Sequence, residues 1–421
     1  MRDTHPSRRK ILVGAATAAA SLAAPALAQA PAQVVVIGGG YAGATCARFL
    51  QREGVSVTLV EPAATYMSCP FSNAVIAGLR DMSQQTFTYD AIVAQGVRLA
   101  RQAATRIDRD ARRVTLADGA TLAYDRLVLA PGIDMNFTAL PGYDQAASEI
   151  LPHAWKAGPQ TLLLRQQLEA MDNGGTVVIS APANPFRCPP GPYERASLIA
   201  WYLKTHKPKS KLIILDAKDA FSKQGLFTAA WKEIYGDMVE WVGLSGGGKV
   251  VEVKAAEKIF VTEFGEHHAD VGNVIPPQRA GRIAIESGIA DATGWCPIDP
   301  VTFESRAQAG VHVIGDAAVA GGMPKSAFAA NAQAKACAQA IALMLRGRQA
   351  PEPKLINTCY SLVAPDYGIS VAGVYAPAKG LLTDIAGAGG VSPANAPASV
   401  RAAEAAYAEG WYTTITAEVF G

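Results

Sequence analysis

The sequence predicts an α/β protein with two parallel βαβ units and a smaller C-terminal domain that combines strands and helix. The first unit starts at the β-branched run Val34–Ile37, which breaks into a glycine-rich turn over residues 38–43. The pattern restarts after residue 150, with candidate strands at 176–180 and 211–215 on either side of a helical segment. Short apolar runs that alternate with helix-like segments are typical of buried parallel strands.

The glycine triplet of the first unit indicates a Rossmann-like dinucleotide-binding turn. Gly38 permits the tight turn, Gly40 lets the backbone approach a pyrophosphate, and Gly43 lets helix and strand pack closely. The candidate strand Val55–Val60 follows and ends at Glu61, where an acid would bind ribose hydroxyls. The alternative is an ordinary glycine turn in another kind of α/β protein.

Length and composition narrow the possible functions. A chain of 421 residues is too long for one core, so two or three domains are expected. Half of the residues are hydrophobic, 18% are charged and the formal net charge is +2, which describes a globular protein. No Lys/Arg block stands beyond the N-terminus, so we expect no nucleic-acid partner. We expect no metal site.

The N-terminal 30 residues are typical of a twin-arginine signal peptide. Arg8 and Arg9 precede the apolar stretch Val13–Ala24, and Ala26–Ala28 offers a small-residue cleavage site. The alternative is an uncleaved anchor, although the stretch is short for a membrane span. No later segment has transmembrane length. We therefore expect a periplasmic protein, exported with its cofactor and without stable membrane insertion.

We predict five segments in the chain, numbered here by residue. They are the signal peptide (1–30), the first part of an FAD-binding domain (31–148), a second dinucleotide-binding-like domain that does not bind NAD (149–272), the second part of the FAD-binding domain (273–350) and a C-terminal α+β interface domain (351–421). Two Rossmann-like domains in this nested order resemble the flavin disulfide-reductase-like proteins.

Two further segments support FAD as the cofactor of the first domain. Tyr124–Gly132 is a buried strand leading to a turn, and it contributes Pro131 and Gly132 as candidate FAD-binding residues. Val311–Asp316 is a strand followed by Gly-Asp, which resembles the second flavin fingerprint. We expect Asp316 to hydrogen-bond the ribityl chain.

The second unit lacks the glycine triplet of the first. Residues 180–192 contain five prolines, which remove backbone donors, and no glycine stands at the close-approach positions. A nicotinamide dinucleotide would have little to bind there. We therefore expect electrons to enter the flavin from another donor.

Cys188 and Cys359 are candidates for a redox-active pair. Cys188 lies in the proline-rich segment and Cys359 just after the linker Pro351–Pro353, and both should pass near the isoalloxazine ring. A structural disulfide between them is the alternative. If the pair is redox-active, the neighbouring Arg187 would lower the pKa of the released thiolate and make it a better leaving group.

The sequence indicates less about the function of the other four cysteines. Cys46, Cys337 and Cys296 are interpreted as buried structural residues. Cys69 follows soon after Glu61, and two interpretations remain open for it: a free buried thiol, or a thioether to the flavin. It has no partner in a Cys-x-x-x-x-Cys arrangement, which disfavours a redox disulfide at this position.

Across nearly the whole mature chain, the sequence resembles the flavoprotein subunit of flavocytochrome c sulfide dehydrogenase. The segments that carry the resemblance are Cys69–Pro70 with Ser72–Asn73, Arg187–Arg195, Asn273–Pro277, Gly294–Pro297, Asn357–Leu362 and Gly410–Tyr412. The resemblance implies FAD held covalently through Cys69, a Cys188–Cys359 disulfide beside the flavin, and a c-type cytochrome partner in a heterodimer. Accessory flavoproteins of thiosulfate-oxidising systems share these motifs.

The implied chemistry starts with hydrosulfide attacking the disulfide and leaving a persulfide and a thiolate. Glu194 is a candidate general acid/base for sulfur protonation; a surface carboxylate at a helix start is the alternative. Trp411 would shield the flavin on the path to haem, or would simply be a core or interface aromatic.

Three functions compete with the one that the resemblance implies, which is a sulfide dehydrogenase that passes electrons to a c-type cytochrome. The first is an accessory redox flavoprotein of a sulfur-oxidising system with little turnover of its own. The second is a sulfide:quinone oxidoreductase, which needs an amphipathic membrane-binding tail; Thr413–Phe420 is short and strand-like, which disfavours it. The third is an NAD(P)H disulfide reductase, which the proline-filled turn disfavours.

Overall fold

The computed structural model describes residues 32–421, so the predicted signal peptide lies outside the described residues. Within this range the helices are α1 (Tyr41–Arg52), α2 (Ser72–Ile76), α3 (Asp90–Ala94), α4 (Pro159–Ala170), α5 (Gly191–His206), α6 (Gln224–Tyr235), α7 (Arg282–Glu286), α8 (Ala327–Leu345) and α9 (Ala398–Phe420). The strands from the first to the tenth are β1 (Gln33–Ile37), β2 (Ser56–Val60), β3 (Thr65–Met67), β4 (Thr86–Thr88), β5 (Arg98–Ala100), β6 (Ala104–Asp108), β7 (Arg113–Leu116), β8 (Thr121–Ala123), β9 (Arg126–Leu129) and β10 (Ile133–Met135). The strands that follow are β11 (Thr176–Ala181), β12 (Lys211–Asp216), β13 (Val239–Val242), β14 (Val250–Lys254), β15 (Ile259–Thr262), β16 (Gly265–His268), β17 (Val271–Val274), β18 (Gln278–Ala280), β19 (Cys296–Pro297), β20 (Val311–Val313), β21 (Ala318–Val319), β22 (Leu355–Ala364), β23 (Tyr367–Ala378), β24 (Leu381–Asp384) and β25 (Gly390–Val391).

The first parallel sheet has the strand order β20-β9-β1-β2-β5. Its central strand β1 is almost entirely buried, because its β-branched residues face apolar neighbours on both sides of the sheet. The edge strand β20 comes from far along the chain and pairs in parallel with β9, Val311 opposite Leu127. The sheet therefore joins the two parts of the predicted FAD-binding domain.

The second parallel sheet has the order β13-β12-β11-β17. It is built from the repeated βαβ pattern, and α5 connects β11 to β12 as a crossover helix. The antiparallel strands β14, β15 and β16 are inserted between β13 and β17. The predicted α/β class with two Rossmann-like units is confirmed.

The C-terminal segment forms an antiparallel sheet of β22, β23 and β24, with β25 pairing to β23. The long helix α9 packs against β22 and β23, and its buried residues include Ala405, Ala408, Tyr412 and Ile415. The interpretation of Thr413–Phe420 as strand-like was wrong, since these residues form the last turns of α9. Their β-branched side chains favour a strand locally, but burial of Ile415, Val419 and Phe420 against the core stabilises the helix.

None of the helices between residues 32 and 421 combines the length and the hydrophobicity needed to cross a bilayer.

Candidate active site

A cavity of about 570 Å³ opens beside the glycine turn that follows β1. Its wall includes nearly all of the site residues expected from the sequence, namely Gly38, Gly40, Glu61, Cys69, Pro131, Gly132, Cys188, Glu194, Asp316, Cys359 and Trp411. Gly43 is not on the wall; it supports the turn from α1. The fold thus gathers residues from both Rossmann-like units and the C-terminal sheet around one space.

The glycine turn has room for a ligand only where the sequence predicts it. Gly38 has a φ of +100°, and a Cβ there would lie 2.3 Å from the carbonyl oxygen of Ala130. A Cβ at Gly43 would lie 1.8 Å from the carbonyl oxygen of Gly38. At Gly40 a Cβ would meet only the ring of Tyr66, at 3.3 Å, so this backbone faces the cavity. Gly40 precedes the first turn of α1, whose free N–H groups favour phosphate.

Glu61 fixes the conformation of this turn. Its Oε2 accepts a hydrogen bond from the backbone N–H of Gly39 at 2.7 Å, and its Oε1 accepts one from that of Ala63 at 2.9 Å. The carboxylate also lies on the cavity wall. Its contact with ribose stays a prediction.

Asp316 presents a buried acceptor that has no partner within the described chain. Its Oδ1 is buried without a hydrogen bond, and its Oδ2 lies 3.8 Å from Nη1 of Arg187. Burial raises the pKa of the Asp316 carboxyl, while Arg187 and Lys325 oppose that rise. An orphan carboxylate oxygen on the wall is satisfied by a hydroxyl-bearing ligand. Together with the open backbone at Gly40, this acceptor fits the ribityl and pyrophosphate groups of FAD.

Cys69 is a free thiol on the same wall. Its Sγ lies 3.4 Å from the backbone nitrogen of Ala157 and 3.3 Å from Nη2 of Arg187. The thiol itself points to the carbonyl oxygen of Trp155 at 3.7 Å. Cys69 is therefore held by hydrogen bonds and faces the space predicted for the flavin, and its thioether bond stays a prediction.

Cys188 and Cys359 line the cavity as two separate free thiols. They are close enough for a charge on Cys359 to raise the pKa of Cys188, but no bond joins them, so the disulfide stays a prediction. Cys188 has a φ of +58°, an uncommon conformation for a residue other than glycine. Hydrogen bonds on both sides hold it there, from its N–H to the carbonyl of Lys325 and from the N–H of Gly191 to its own carbonyl. Such strain is often found at reactive positions.

The two thiols have different electrostatic surroundings. Burial raises the pKa of Cys188 most, and the nearby Glu194 raises it further. Burial also raises the pKa of Cys359, but the ammonium group of Lys223 opposes the rise and Asn357 Nδ2 donates to the sulfur at 3.2 Å. A thiolate at Cys359 is therefore better stabilised than one at Cys188.

Arg187 lowers the pKa of the neighbouring Cys188 thiol, as expected, although other groups raise that pKa by more. Its guanidinium is directed to Cys69 and Asp316 rather than to the sulfur of Cys188. The lowering effect of Arg187 on Cys188 is present but smaller than the effects of burial, Glu194 and Cys359.

Glu194 is a partly buried carboxylate near both thiols, not a surface group. It lies in the first turn of α5, and burial raises its pKa. Its Oε2 accepts from Nδ2 of Asn73 at 2.8 Å and its Oε1 from the backbone N–H of Leu362 at 2.9 Å. A carboxyl group with a raised pKa beside a thiol suits proton transfer, so this geometry favours the acid/base interpretation.

Two buried cations near the thiols were missed in the sequence. Nζ of Lys223 donates to the carbonyl of Cys359 and the hydroxyl of Ser361, both at 2.8 Å, and burial lowers its pKa to about 8. The Arg195 guanidinium is buried and bonds to neutral oxygens of Asn73, His153, Ala154 and Asn273. The one available signal was the position of Arg195 directly after Glu194 at a helix start; Lys223 gave none, because its contacts come from β22 and β23.

Trp411 lies between the cavity and the surface. Its ring stacks on Phe328, with centroids 6.1 Å apart and planes 9° apart, and it also contacts Tyr360. Both Trp411 and Phe328 line a second, surface groove that runs along α8 and α9. This position fits a shield between the cavity and a partner, as well as a packing role.

At the turn of the second unit, the protein's own side chains surround the acid that follows the second strand. Asp216, at the end of β12, would be the ribose-binding acid of such a unit, yet it is fully buried. It accepts hydrogen bonds from Tyr193 at 2.6 Å and Trp241 at 3.0 Å, and it pairs with Lys218 at 2.5 Å. Tyr193 in turn stacks on Phe221 with centroids 3.6 Å apart. The protein's own side chains therefore use the groups that a nucleotide would need.

Three family models match the chain in succession. They are "Pyridine nucleotide-disulphide oxidoreductase" over residues 32–167, "Sulfide dehydrogenase [flavocytochrome c] flavoprotein chain, central" over residues 161–276 and "Flavocytochrome c sulphide dehydrogenase, flavin-binding" over residues 351–420. The two sulfide dehydrogenase models cover the segments that carry Cys188 and Cys359. The match over the first Rossmann-like unit includes the glycine turn and Cys69.

Curated relatives and solved structures give the same picture. The sulfide dehydrogenase flavoprotein chain of Chlorobaculum thiosulfatiphilum is 53% identical over 45 residues, which cover 94% of that chain and 10% of this one. The mitochondrial sulfide:quinone oxidoreductase of Mus musculus is 25% identical over 305 residues, covering 68% of this chain but only 65% of the relative's length. The sulfide:quinone oxidoreductase structure from Aquifex aeolicus superposes with a TM-score of 0.70 at 19% identity and covers 92% of both chains, which shows a shared fold. The chain belongs to the family of flavocytochrome c sulfide dehydrogenase flavoproteins.

Proposed function

We propose that this protein is a sulfide dehydrogenase that oxidises hydrosulfide through Cys188, Cys359 and bound FAD and passes the electrons to a c-type cytochrome. The observation that carries the proposal is the presence of both thiols on the wall of the cavity that also contains the glycine turn. The family models that match the second unit and the C-terminal segment are named for a sulfide dehydrogenase, which supports the same donor.

The site attracts an anionic sulfur nucleophile. Arg195 and Lys223 are buried cations near the two thiols, and within residues 32–421 neither donates a hydrogen bond to a carboxylate. In a buried site their positive charge favours hydrosulfide over neutral hydrogen sulfide. Many residues of the cavity wall are apolar, and an apolar wall screens this attraction less than water does.

The chemical step is thiol–disulfide exchange. In the oxidised protein, hydrosulfide attacks one sulfur of the Cys188–Cys359 disulfide; a new S–S bond forms, the old one breaks, and a persulfide and a thiolate result. Glu194 receives the proton of the persulfide, held in place by Asn73 and the Leu362 N–H. Bound FAD supplies an acceptor for the electron pair of the thiolate and can release the electrons singly.

The chain offers specific groups for FAD. The N-terminus of α1 would hold the pyrophosphate, Asp316 the ribityl chain, and Cys69 a covalent bond. Export with the cofactor already bound would explain a twin-arginine signal at residues 1–30, and so we propose a periplasmic location. The cytochrome would form a heterodimer with this chain, and the stacked Trp411 and Phe328 would separate it from the flavin.

A quinone is the second candidate for the electron acceptor. The similarity to sulfide:quinone oxidoreductases in sequence and fold favours it. The C-terminal helix α9 does not act as a free amphipathic tail, because its apolar face packs against β22, β23 and α1. The acceptor must therefore be decided by experiment.

Steady-state turnover tests both the donor and the acceptor. The wild type, Cys188→Ser and Cys359→Ser are assayed with sulfide and either a c-type cytochrome or a soluble quinone. We expect rapid cytochrome reduction by the wild type, slow quinone reduction, and a loss of at least about 1,000-fold in either variant, since each removes one half of the disulfide. FAD content should stay unchanged.

Cys296→Ala is the matched control, because Cys296 is a buried thiol outside the cavity wall. Sulfide-dependent turnover retained by both serine variants would reject the disulfide mechanism. Faster reduction of quinone than of cytochrome would favour the second candidate. Negligible turnover of the wild type, with stimulation of another sulfur-oxidising complex, would support the accessory function.

A further inference from the structure

The sulfur of Cys69 has two N–H donors, and both come from residues that also line the cavity. The backbone nitrogen of Ala157 lies 3.4 Å from Sγ, and Nη2 of Arg187 lies 3.3 Å from it. The same Nη2 donates to the carbonyl oxygen of Trp155, the acceptor to which the Cys69 thiol points. When the thiol loses its proton, both the sulfur and this carbonyl oxygen therefore keep a donor.

Arg187 is held in this position by its backbone and by Asp316. Its N–H donates to Oε1 of Gln278 at 2.9 Å, and the next residue, Cys188, donates to the carbonyl of Lys325 at 2.8 Å. Its side chain is 17% exposed, and Nη1 lies 3.8 Å from Asp316 Oδ2. Burial lowers the pKa of the guanidinium, but Cys69 and Asp316 outweigh this effect, so its pKa is raised and it stays charged.

Three other cations near the cavity have their hydrogen-bond partners elsewhere. The charge of Arg195 also interacts with Cys69, but its N–H groups donate to Asn73, His153, Ala154 and Asn273. Lys156 lines the same wall but pairs with Asp134 at 2.7 Å. Lys325 donates to the carbonyls of Asp316 and Ala318 and lies over the ring of Trp295. Among the side-chain hydrogen bonds of residues 32–421, the cationic donor to the Cys69 sulfur is Arg187.

We propose that Arg187 activates Cys69 as the nucleophile that attaches FAD to the protein, with the Ala157 N–H as second donor. The inference rests on the proposed function, in which FAD occupies this cavity and Cys69 is its attachment point. The Sγ–C bond forms at a methyl group of the isoalloxazine while one C–H bond of that methyl and the S–H bond break. Both protons and two electrons remain on the ring system, which is left two-electron reduced. The acceptor of the proposed activity then reoxidises it.

The test measures covalent attachment, not turnover. Full-length protein is prepared as the wild type, Arg187→Met, Arg187→Lys, Cys69→Ser and the control Lys156→Met, and each is supplied with FAD. Flavin that remains on the polypeptide after denaturation is followed over time by in-gel fluorescence and by intact mass. We expect attachment to be at least about tenfold slower in Arg187→Met, partly restored in Arg187→Lys, absent in Cys69→Ser and unchanged in Lys156→Met.

The outcomes separate this inference from the proposal on which it rests. No covalent flavin in the wild type would overturn attachment through Cys69 and this inference with it, while sulfide turnover would still be tested separately. Wild-type rates of attachment in Arg187→Met would overturn the role of Arg187 and leave the attachment intact. If Arg187→Met and Arg187→Lys do not bind FAD, the rate of alkylation of Cys69 by iodoacetamide is compared in FAD-free wild type and Arg187→Met. Alkylation at least about tenfold slower in Arg187→Met would support activation of Cys69 by Arg187, and equal rates would overturn it.

Discussion

The two Rossmann-like units share a strand–turn–helix arrangement, but the turn is rich in glycine in the first unit and rich in proline in the second. After β1, Gly38 and Gly43 permit a tight turn, Gly40 leaves the backbone open toward the cavity, and Glu61 holds the turn from the end of β2. After β11, a proline-rich segment leads to Cys188 and then to α5. The equivalent acid, Asp216, is buried under Tyr193 and Trp241. The first unit thus presents open backbone to the cavity, whereas the second places a cysteine on the wall of the same cavity.

This difference shows that the fold alone does not decide what a unit binds. Both units have a parallel sheet and a crossover helix, and their backbone architecture would permit a nucleotide at either turn. What differs is whether the backbone of the turn is open to the cavity and whether the carboxylate after the second strand lies on the cavity wall, as Glu61 does, or is buried, as Asp216 is. The following predictions alter these groups one at a time.

The largest effect on the stability of the protein is expected from removing the buried carboxylate of the second unit. Asp216→Ala leaves Lys218 without its ion-pair partner and the Tyr193 and Trp241 donors without an acceptor. We expect a loss of about 4 kcal/mol in the free energy of unfolding, because breaking a buried pair strands a charge. Chemical denaturation measures it.

The control for that variant is Asp219→Ala, just after the end of β12 and exposed, where only a small change is expected. If Asp216→Ala were as stable as the control and bound NADH, the second unit would be an open nucleotide site. The contrast between the units would then be lost.

A Cβ at the base of the first turn should destabilise the protein nearly as much. Gly43→Ala places a methyl group 1.8 Å from the carbonyl oxygen of Gly38, so α1 must move away from β1. We expect a destabilisation of about 3 kcal/mol and loss of FAD, since backbone cannot yield as a flexible side chain does. Thermal unfolding and FAD content measure both effects. Gly225→Ala in α6, where a Cβ meets nothing within 4 Å, should behave as the wild type.

Gly40→Ala should weaken the binding of FAD while leaving the stability of the fold nearly unchanged. Its Cβ would meet only the Tyr66 ring, at 3.3 Å, so the FAD-free protein should remain nearly as stable as the wild type. The methyl group would nevertheless occupy the space in which the pyrophosphate approaches the backbone. We expect FAD to bind at least about tenfold more weakly, or about 1.4 kcal/mol, by fluorescence titration before covalent attachment. Unchanged affinity would mean that the phosphates do not bind at this turn.

The smallest effect is expected from replacing Glu194, and it concerns the pH dependence of flavin reduction by sulfide. Because burial raises its pKa, the carboxyl is protonated at low pH and becomes a base only as pH rises through that raised value. The rate of flavin reduction by sulfide should rise over the same window in the wild type and should be slower and flatter in Glu194→Gln. A wild-type profile retained by Glu194→Gln would remove Glu194 from proton transfer.

The same group makes a predictable contribution to stability. Its raised pKa in the folded protein means that the folded state binds the proton more tightly than the unfolded state. The stabilisation is complete below the unfolded-state pKa and is lost as pH rises through the folded-state pKa. Glu194→Gln should remove this part of the pH dependence in denaturation experiments.

The sequence indicated the fold class and the residues of the cavity wall because these depend on local patterns. Val34–Ile37 and the glycines specify a turn by themselves, and Cys188 and Cys359 were marked by their surroundings in the chain. Lys223 could not be found in this way, since its importance comes from contacts with β22 and β23 more than 130 positions away. Thr413–Phe420 was misassigned for a related reason, because packing against the core overrides its strand propensity.

Anaerobic mixing with two donors tests the central claim most directly. The flavin absorbance of the wild type, Cys188→Ser and Cys359→Ser is followed after addition of sulfide or NADH. We predict fast bleaching of the wild type by sulfide, no bleaching of either variant by sulfide on the same time scale, and no bleaching of any protein by NADH. Rapid reduction by NADH, or reduction by sulfide without either cysteine, would contradict the account.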